Sequence, residues 1–358
     1  MKQGILLINL GTPDHPSTSA VRHYLQEFLM DPRVIDIPWL ARFVLVYGVI
    51  GPLRSKKSAA AYQAIWTEAG SPLLVNSIAL QKALSKTLES MDKDCVVSLG
   101  MRYGKPSIQD AVLELIRQKV DQITIVPLFP QYASASSGSA LEAILKILAK
   151  QNTVPNIRVI RDFYNMPGYI DAYADLIQQH IPDKSFESID RILFSYHGLP
   201  ERQIKKTRCE ASCVLSNASS PSNTSNPCKR MDSSNSDCYR AQCYETTRLI
   251  AEKLGLGADQ YQVCFQSRLG RTPWIKPYTD QVLIDLSKQG VRNIAVVCPS
   301  FVSDCLETLE EINMRAREQW HSLGGETFVF VPCINTDPIW VEGLAQKIIH
   351  EFPLSREG

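Results

Sequence analysis

Short apolar runs with the length of β-strands alternate with helical patterns along almost the whole chain. Eight such runs, rich in β-branched and aromatic residues, predict buried strands over 4–10, 95–100, 123–129, 157–161, 192–196, 262–266, 294–299 and 328–333. Apolar residues at intervals of three and four predict helices over 107–119, 141–150, 169–180, 242–254 and 278–289. This alternation is typical of α/β folds, so we expect parallel β-sheets flanked by helices.

A weak internal repeat divides the chain into two similar halves. Met101-Arg-Tyr-Gly-Lys-Pro, a helix and a strand leading to Pro127-Leu-Phe correspond to Ser267-Arg-Leu-Gly-Arg, a helix and a strand leading to Pro299-Ser-Phe. A chain of 358 residues is also long enough for two cores. We therefore expect two Rossmann-like lobes, 1–160 and 161–335, braced by a returning C-terminal helix in 336–358. The strand ends of both lobes should face one ligand-binding crevice.

The overall composition restricts the partners of the chain. Hydrophobic residues make up 44%, charged residues 21%, and the formal net charge is +1. This lacks the basic excess that a phosphate-rich partner favours, so we expect no nucleic-acid partner. The opening MKQGILLINLGTPD predicts a buried strand and has no small-residue cleavage site, which favours a cytoplasmic protein. In a reducing compartment its ten cysteines would mostly be thiols or metal ligands.

The most apolar stretch near the N-terminus, 37–51, contains Arg42 and is shorter than the roughly 20 residues that span a bilayer. Its aromatic residues Trp39, Phe43 and Tyr47 are followed by basic residues within 54–57. The pattern favours an apolar lip over 37–57 that grips an apolar ligand or makes a peripheral contact with the inner membrane surface. An ordinary buried helix explains it equally well.

His197 is the first candidate for chemistry. It ends a buried strand, precedes a Gly198 turn, and lies close in sequence to Tyr196 and Arg202. Reactive groups of α/β proteins lie at such strand ends. A histidine there can take protons from a weakly acidic nitrogen or hold a borderline metal ion.

Asp304, Glu307 and Glu311 form the second candidate. Their spacing of three and four places them on one face of a helix for which Ser303 or Asp304 would be the cap. This acidic stripe, formed by the three carboxylates on one helix face, could pass a cation or protons toward a site. A solvated helix face, with acidic residues near the positive end of the helix dipole, is the alternative.

Several motifs together resemble those of the ferrochelatase family. Three carry most of the resemblance: Leu7-Ile-Asn-Leu-Gly-Thr-Pro, Phe194-Ser-Tyr-His-Gly-Leu-Pro and Ser303-Asp-Cys-Leu-Glu-Thr-Leu-Glu-Glu-Ile. Five more occur in the family's order: Glu68-Ala-Gly-Ser-Pro-Leu, Gly100-Met-Arg-Tyr-Gly, Pro127-Leu-Phe-Pro-Gln-Tyr-Ala-Ser, Phe265-Gln-Ser-Arg-Leu-Gly and Thr272-Pro-Trp-Ile-Lys-Pro. The resemblance covers nearly the whole chain outside 205–243.

This resemblance implies a chelatase fold and a lyase that inserts Fe(II), as substrate, into protoporphyrin IX in the terminal step of haem biosynthesis. It implies that His197 and Glu307 are the catalytic and metal-binding residues, and that Asp304 and Glu311 lie on an adjoining acidic path. Release of two pyrrole protons requires a base, but the sequence leaves open whether His197 or Glu307 takes them. Further cleft residues implied by the resemblance are Leu10, Ser71, Arg102, Tyr132 and Trp274.

Two positions depart from the family pattern. Cys305 stands where many members have histidine, which leaves the outer shell of the metal open. Ala64 stands near the position where some animal members have a substrate-contacting arginine. Neither departure removes the pair of His197 and Glu307.

The insertion 205–243 lacks apolar periodicity and is rich in Ser, Asn, Pro and Cys, which predicts a long loop. Five cysteines lie in it: Cys209, Cys213, Cys228, Cys238 and Cys243. Some ferrochelatases carry a [2Fe–2S] cluster, and four of these thiols could ligate one. Structural zinc and thiols without a metal are the alternatives.

Two other kinds of function remain open at this point. The chain could be a coproporphyrin ferrochelatase or another tetrapyrrole chelatase, since the fold does not determine the substrate. It could instead be a non-catalytic haem or iron–sulfur sensor. Neither a Gly-x-Gly-x-x-Gly turn nor a phosphate-binding loop follows a predicted strand, so we expect no nucleotide cofactor.

Overall fold

The structure is a computed structural model that describes residues 2–182, 186–207, 228, 231–270 and 272–350. Its strands are β1 (Gln3–Gly11), β2 (Cys95–Tyr103), β3 (Gln122–Pro127), β4 (Asn156–Val159), β5 (Arg191–His197), β6 (Tyr261–Gln266), β7 (Asn293–Val297) and β8 (Thr327–Phe330). The helices are α1 (Thr18–Leu29), α2 (Trp39–Phe43), α3 (Gly51–Ile65), α4 (Pro72–Ser90), α5 (Ile108–Arg117), α6 (Ser139–Leu148), α7 (Pro167–His180), α8 (Glu201–Ile204), α9 (Tyr239–Leu254), α10 (Thr279–Lys288), α11 (Arg317–Ser322) and α12 (Pro338–His350). Among the described residues, three segments are π-helical: Val44–Ile50, Ser134–Gly138 and Glu307–Ala316.

The strands form two four-stranded parallel sheets with the same topology. Their orders are β2-β1-β3-β4 and β6-β5-β7-β8. In each lobe the second strand is followed by a short parallel bridge, between Met101 and Ser107 in one lobe and between Phe265 and Tyr278 in the other. The predicted α/β fold of two Rossmann-like lobes related by an internal repeat is confirmed.

Side chains of β1 alternate between two cores, as the geometry of a strand requires. Ile5 and Leu7 enter a core that both lobes share, whereas Leu6 and Ile8 pack with α5 and α6 on the outer face. The shared core also contains Phe194 of β5 and residues of α4, α7, α9 and α12. The boundary at residue 160 falls between β4 and α7 and stays a prediction, since one core continues across it.

Gly11 ends β1 with a backbone conformation that disfavours other residues. Its φ is +108°, and a Cβ there would lie 1.7 Å from the carbonyl oxygen of Tyr103 on β2. The close approach of the two strand ends therefore requires glycine.

The lip is exposed, so the alternative of an ordinary buried helix is wrong for it. Trp39, Leu40 and Leu53 are 61%, 66% and 75% exposed. Arg42 is buried instead, where its guanidinium donates to the carbonyl oxygens of 35 and 37 at 3.0 Å. None of the helices in the described ranges has the length and hydropathy needed to cross a bilayer.

Candidate active site

His197 lies at the carboxyl end of β5 and is held by three contacts. Its backbone N–H donates to Oγ of Ser300 at 3.0 Å, and its carbonyl oxygen accepts from the hydroxyl of Tyr239 at 2.8 Å. Its Nδ1 lies 2.6 Å from the carbonyl oxygen of Gly198. Because that oxygen can only accept, Nδ1 carries the proton in the neutral ring, and Nε2 presents the lone pair.

Two aromatic rings lie beside the His197 imidazole. The centroid of Trp274 is 6.4 Å away and that of Phe301 is 6.3 Å away. The indole N–H of Trp274 donates to the carbonyl oxygen of Leu269 at 2.9 Å, which fixes the ring. The structure thus brings together two residues predicted for the cleft, His197 and Trp274.

Gln266 links His197 to Glu307. It pairs with His197 across β5 and β6, and its Nε2 donates to the carbonyl oxygen of Glu307 at 2.8 Å. Its Oε1 accepts from Ser195 Oγ at 2.7 Å. Since Gln266 is buried, each of these hydrogen bonds stabilises one arrangement of the strand end and the π-helical segment.

Glu307 is the first residue of the π-helical segment 307–316, a form of helix that is frequent at functional sites. The thiol of Cys305 is hydrogen-bonded to it, and burial followed by the charge of Glu307 raises the pKa of that thiol. Burial also raises the pKa values of Tyr62 and Tyr24, and the charge of Glu307 adds to both effects. The half-buried Glu307 carboxylate thus lies near two buried phenols and a buried thiol. Ala64 is exposed on α3.

The prediction that Ser303 or Asp304 caps an α-helix is wrong, because the helix begins at Leu306 and continues as a π-helix. The Asp304 carboxylate accepts from the Thr308 hydroxyl at 3.0 Å, the Cys333 N–H at 3.1 Å and the Asn335 amide at 2.8 Å. It therefore ties the helix start to the segment after β8. Its place on an acidic path stays a prediction.

Glu311 lies one turn beyond Glu307 and faces a pocket of about 220 Å³ that Arg268 and Arg315 also line. Its carboxylate accepts from the N–H of Ser267 at 2.9 Å and from the Ser267 hydroxyl. The acidic stripe was predicted from the residue spacing of an α-helix. Because π-helical bonding puts more residues in each turn, that spacing does not apply after Glu307.

The N-terminal lobe provides the opposite side of the site. Leu10 belongs to an apolar cluster with Tyr62 of α3 and with Leu306, which directly precedes Glu307. Ser71 is buried, and its Oγ accepts from the Thr12 hydroxyl at 2.8 Å. Thr12 and Ser71 line a second pocket of about 310 Å³.

Arg102 and Tyr132 are engaged by other protein groups. The Arg102 guanidinium pairs with Asp31 at 2.6 Å and donates to Ser139 Oγ at 2.7 Å. The N–H of Tyr132 donates to the Gln242 side chain of α9 at 2.7 Å. Their predicted contacts with a porphyrin stay predictions.

Three of the five cysteines of the insertion fall within the described residues. Cys228 and Cys238 are hydrogen-bonded to each other, and this bond, with the nearby Arg240 guanidinium, lowers the pKa of Cys228. Burial raises the pKa of Cys243, which is hydrogen-bonded to Tyr239. Cys209 and Cys213 lie outside the described residues. Over the part of the chain that the structure describes, no three His, Cys, Asp or Glu side chains are arranged around one metal position.

Comparison with known families decides which enzymes share this site. A family model described as Ferrochelatase matches residues 2–352. The chain belongs to the ferrochelatase family. This confirms the predicted class, a lyase of haem biosynthesis that inserts a metal ion into a porphyrin.

Ferrochelatases of two bacteria match nearly full length. That of Legionella pneumophila strain Lens is 50% identical over 351 residues, covering 98% of this chain and 99% of the relative. That of Coxiella burnetii strain CbuG_Q212 is 50% identical over 345 residues, covering 96% and 92%.

Solved structures share the ferrochelatase-like fold at low identity. SirB from Bacillus subtilis with Fe³⁺ has a TM-score of 0.52 at 12% identity, covering 98% of this chain and 95% of SirB. The sirohydrochlorin chelatase SirB from Bacillus subtilis subspecies spizizenii, in complex with cobalt, has a TM-score of 0.51 at 11% identity over the same shares.

Sequence reasoning gave no role to Gln266, Ser300, Tyr239 or Tyr62. Of these four residues, only Gln266 could have been recognised from the sequence, because it is a polar residue at the end of an apolar strand, in the motif Phe265-Gln-Ser-Arg-Leu-Gly. The others are recognised only through contacts with residues distant in the chain.

Proposed function

We propose that this ferrochelatase inserts ferrous iron into protoporphyrin IX between the two lobes, with His197 and Glu307 performing the chemistry. The observation that supports this most is the Gln266 link, which holds the strand end of His197 and the helix start of Glu307 together. The reaction replaces two pyrrole N–H protons with Fe(II). It therefore needs a proton acceptor and a metal-binding group side by side.

His197 is suited to accept a pyrrole proton. Its Nε2 presents the lone pair, because Nδ1–H donates to the Gly198 carbonyl at 2.6 Å. After Nε2 takes a proton, the same Nδ1–H bond remains and stabilises the imidazolium. Trp274 and Phe301 supply apolar surface beside the imidazole for a flat macrocycle.

Glu307 is suited to deliver the metal. Fe(II) accepts carboxylate oxygen and imidazole nitrogen as ligands. The Gln266 bond uses the main-chain carbonyl of Glu307 and so leaves its carboxylate for Cys305 and the cation. Glu311 lies one turn farther along the helix, beside an open pocket, which supports an entry path for iron.

The test is anaerobic Fe(II) insertion into protoporphyrin and coproporphyrin by the wild type, His197→Ala and Glu307→Ala. We expect each variant to lose at least about 100-fold in kcat while porphyrin binding persists. Exposed His180 on α7 and exposed Glu318 on α11 provide the controls as His180→Ala and Glu318→Ala. Wild-type protein that binds porphyrin without inserting iron would be a sensor. A faster rate with coproporphyrin would assign that substrate instead.

A [2Fe–2S] cluster in the insertion forms the second part of the proposal. The contacting thiols Cys228 and Cys238 beside Arg240 fit thiolate ligation, since a guanidinium favours the anionic form. Two further ligands would come from Cys209, Cys213 and Cys243. When bound, such a cluster supplies one-electron redox chemistry and a cross-link within the insertion.

Metal and sulfide analysis of anaerobically purified protein tests the cluster. We expect about two iron and two sulfide per chain, with visible absorption lost in Cys228→Ser and Cys238→Ser. Cys95→Ser, on β2 in the other lobe, is the control. Stoichiometric zinc without sulfide, or no bound metal, would contradict the cluster.

The lip supports a peripheral contact with the cytoplasmic face of the inner membrane. Its exposed apolar side chains adjoin exposed Arg54, Lys56 and Lys57 on α3. Apolar insertion combined with basic charge is the pattern that binds anionic bilayers.

Vesicle sedimentation tests the membrane contact. We expect stronger binding to phosphatidylglycerol-containing vesicles than to phosphatidylcholine alone, and loss of binding in the double variant Leu40→Ser, Leu53→Ser. Leu145→Ser removes an exposed leucine (57% exposed) from α6 and is the control. Wild-type protein that stays in the supernatant would restrict the lip to porphyrin binding.

A further inference from the structure

Helix α9 begins beside His197. The hydroxyl of Tyr239, its first residue, donates to the His197 carbonyl oxygen at 2.8 Å. Tyr239 is 5% exposed, so water does not compete freely for this bond. The fixed hydroxyl thus sets the orientation of the peptide that joins His197 to Gly198.

That peptide determines where the imidazole points. The acceptor for His197 Nδ1 is the carbonyl of Gly198, the next residue along the chain. On the other side, the His197 N–H is held by Ser300 after β7. A rotation of the His197–Gly198 peptide would therefore move the Nδ1 acceptor and, with it, Nε2.

Tyr239 also contacts the cysteines of the insertion. Cys243, one helical turn along α9 and fully buried, is hydrogen-bonded to the Tyr239 hydroxyl. Cys238 directly precedes Tyr239 and contacts Cys228. A change in the bonding of these thiols should therefore displace Tyr239, the residue whose hydroxyl holds the His197 carbonyl.

We propose that Tyr239 is a positioning residue that sets the geometry of His197 and couples it to the cysteines at the start of α9. The proposal rests on the proposed function only for its kinetic consequence. Its structural consequence, a displaced His197 ring, is measurable without turnover.

Tyr239→Phe tests the positioning, with Tyr196→Phe as the matched control. Tyr196 is also buried and also bonds α9, through Thr247 at 2.8 Å, but its hydroxyl does not hold His197. We expect kcat to fall about tenfold in Tyr239→Phe, because small displacements of a reacting group are costly, and to stay within about twofold in Tyr196→Phe. Equal losses in both variants would indicate a general packing effect and overturn the proposal.

A double-mutant cycle with His197→Ala gives the second readout. If Tyr239 acts through His197, Tyr239→Phe should change the residual rate of His197→Ala by less than about twofold. A full tenfold loss in that background would overturn the positioning role.

Nitrogen-15 spectra of the imidazoles give the readout that is independent of insertion. The chain has six histidines, and His197→Ala assigns the signal of interest. We expect the His197 signal to shift in Tyr239→Phe and in Cys243→Ala, and to stay in place in Tyr196→Phe. Adding Cys243→Ala to Tyr239→Phe should cause no further shift. An unshifted signal in an enzyme that inserts iron would refute the positioning and leave the proposed function standing. A shifted signal in a protein that does not insert iron would support the positioning role and refute the proposed function.

Discussion

The side-chain amide of Gln266 donates to the main-chain carbonyl of Glu307 at 2.8 Å. Gln266 is also the residue of β6 that pairs with His197 of β5. One buried glutamine therefore connects the backbones of two residues that are 110 positions apart in sequence, His197 and Glu307. Its other amide atom is held by Ser195 at 2.7 Å. The alignment of the proposed site depends on this residue as well as on the two residues that we propose perform the chemistry.

Gln266→Leu should lower both stability and activity. It removes the Gln266 partner of the Glu307 carbonyl and one of the two partners of the Ser195 hydroxyl, which keeps its bond to Thr279 at 2.9 Å. The loss costs about 1–3 kcal/mol of unfolding free energy. We expect kcat to fall more than KM changes, since alignment and not porphyrin binding is lost. Urea unfolding and steady-state kinetics measure both, with Gln262→Leu on the same strand as the control. Unchanged kcat in Gln266→Leu would contradict the alignment role.

Asp36→Asn should loosen the cleft. Asp36 lies just before the lip and pairs with Arg202 at 2.6 Å and Lys206 at 2.8 Å, which follow the His197 strand. We expect haem to be released faster from Asp36→Asn than from the wild type. In the wild type, salt should speed release because screening weakens the ion pair, whereas the release rate of the variant should not rise with salt. Stopped-flow dissociation at low and high salt measures this, with Asp280→Asn as the control for an exposed pair. Equal salt dependence in both variants would show that the pair does not restrain release.

The same carboxylate should make stability depend on acid. Burial alone would raise the pKa of Asp36, but hydrogen bonds from Arg202 and Lys206 lower it. A lowered folded-state pKa gives stability that is present above the unfolded value, about 3.9, and is lost as pH falls through the folded value. Urea unfolding below pH 4 should show a shallower acid loss in Asp36→Asn than in the wild type. Identical acid profiles would contradict the shift.

Cys264 should destabilise the fold in alkali. It is fully buried, and burial raises its pKa to about 11. The stability from the neutral thiol is complete below the unfolded pKa, about 8.5, and is lost as pH rises toward 11, by about 3 kcal/mol. Cys264→Ala should flatten this part of the pH–stability curve in urea unfolding. A curve that stays equally steep in the variant would assign the loss to other groups.

Gly325→Ala should destabilise the C-terminal lobe. A Cβ there would lie 2.2 Å from Nε1 of Trp320, a buried indole that donates to the Thr327 carbonyl at 3.0 Å. Overpacking of this kind costs about 1–3 kcal/mol of unfolding free energy. Gly48→Ala, where a Cβ would meet no atom within 4 Å, should leave thermal unfolding nearly unchanged. Similar melting temperatures for both variants would contradict the clash.

The sequence predicted all eight strands, most clearly the inner strands β1, β3, β5 and β7, which are buried on both faces and are nearly continuous apolar runs. The edge strand β4 is exposed or half-buried and is less apolar. The sequence did not predict α3, whose apolar and polar residues are mixed around the helix. It also placed an α-helix where the π-helical segment 307–316 lies, since residue spacing alone does not distinguish the two.

The strand end made His197 a candidate for chemistry, because parallel sheets place reactive groups at such ends. The acidic motif was recognised from residue type, but the burial of Asp304 was not, since Cys333 and Asn335 that bind it come from another part of the chain. Tyr239 could not be recognised for the same reason, because its partner His197 is far from it in sequence.

Gly11 determines which changes of length the first strand can tolerate. Only a residue without a side chain fits against the Tyr103 carbonyl at the end of β1. Deleting one residue from β1 would bring a side chain to that place and exchange the residues of the shared core with those of the outer core. Insertions and deletions should therefore be excluded from residues 4–11.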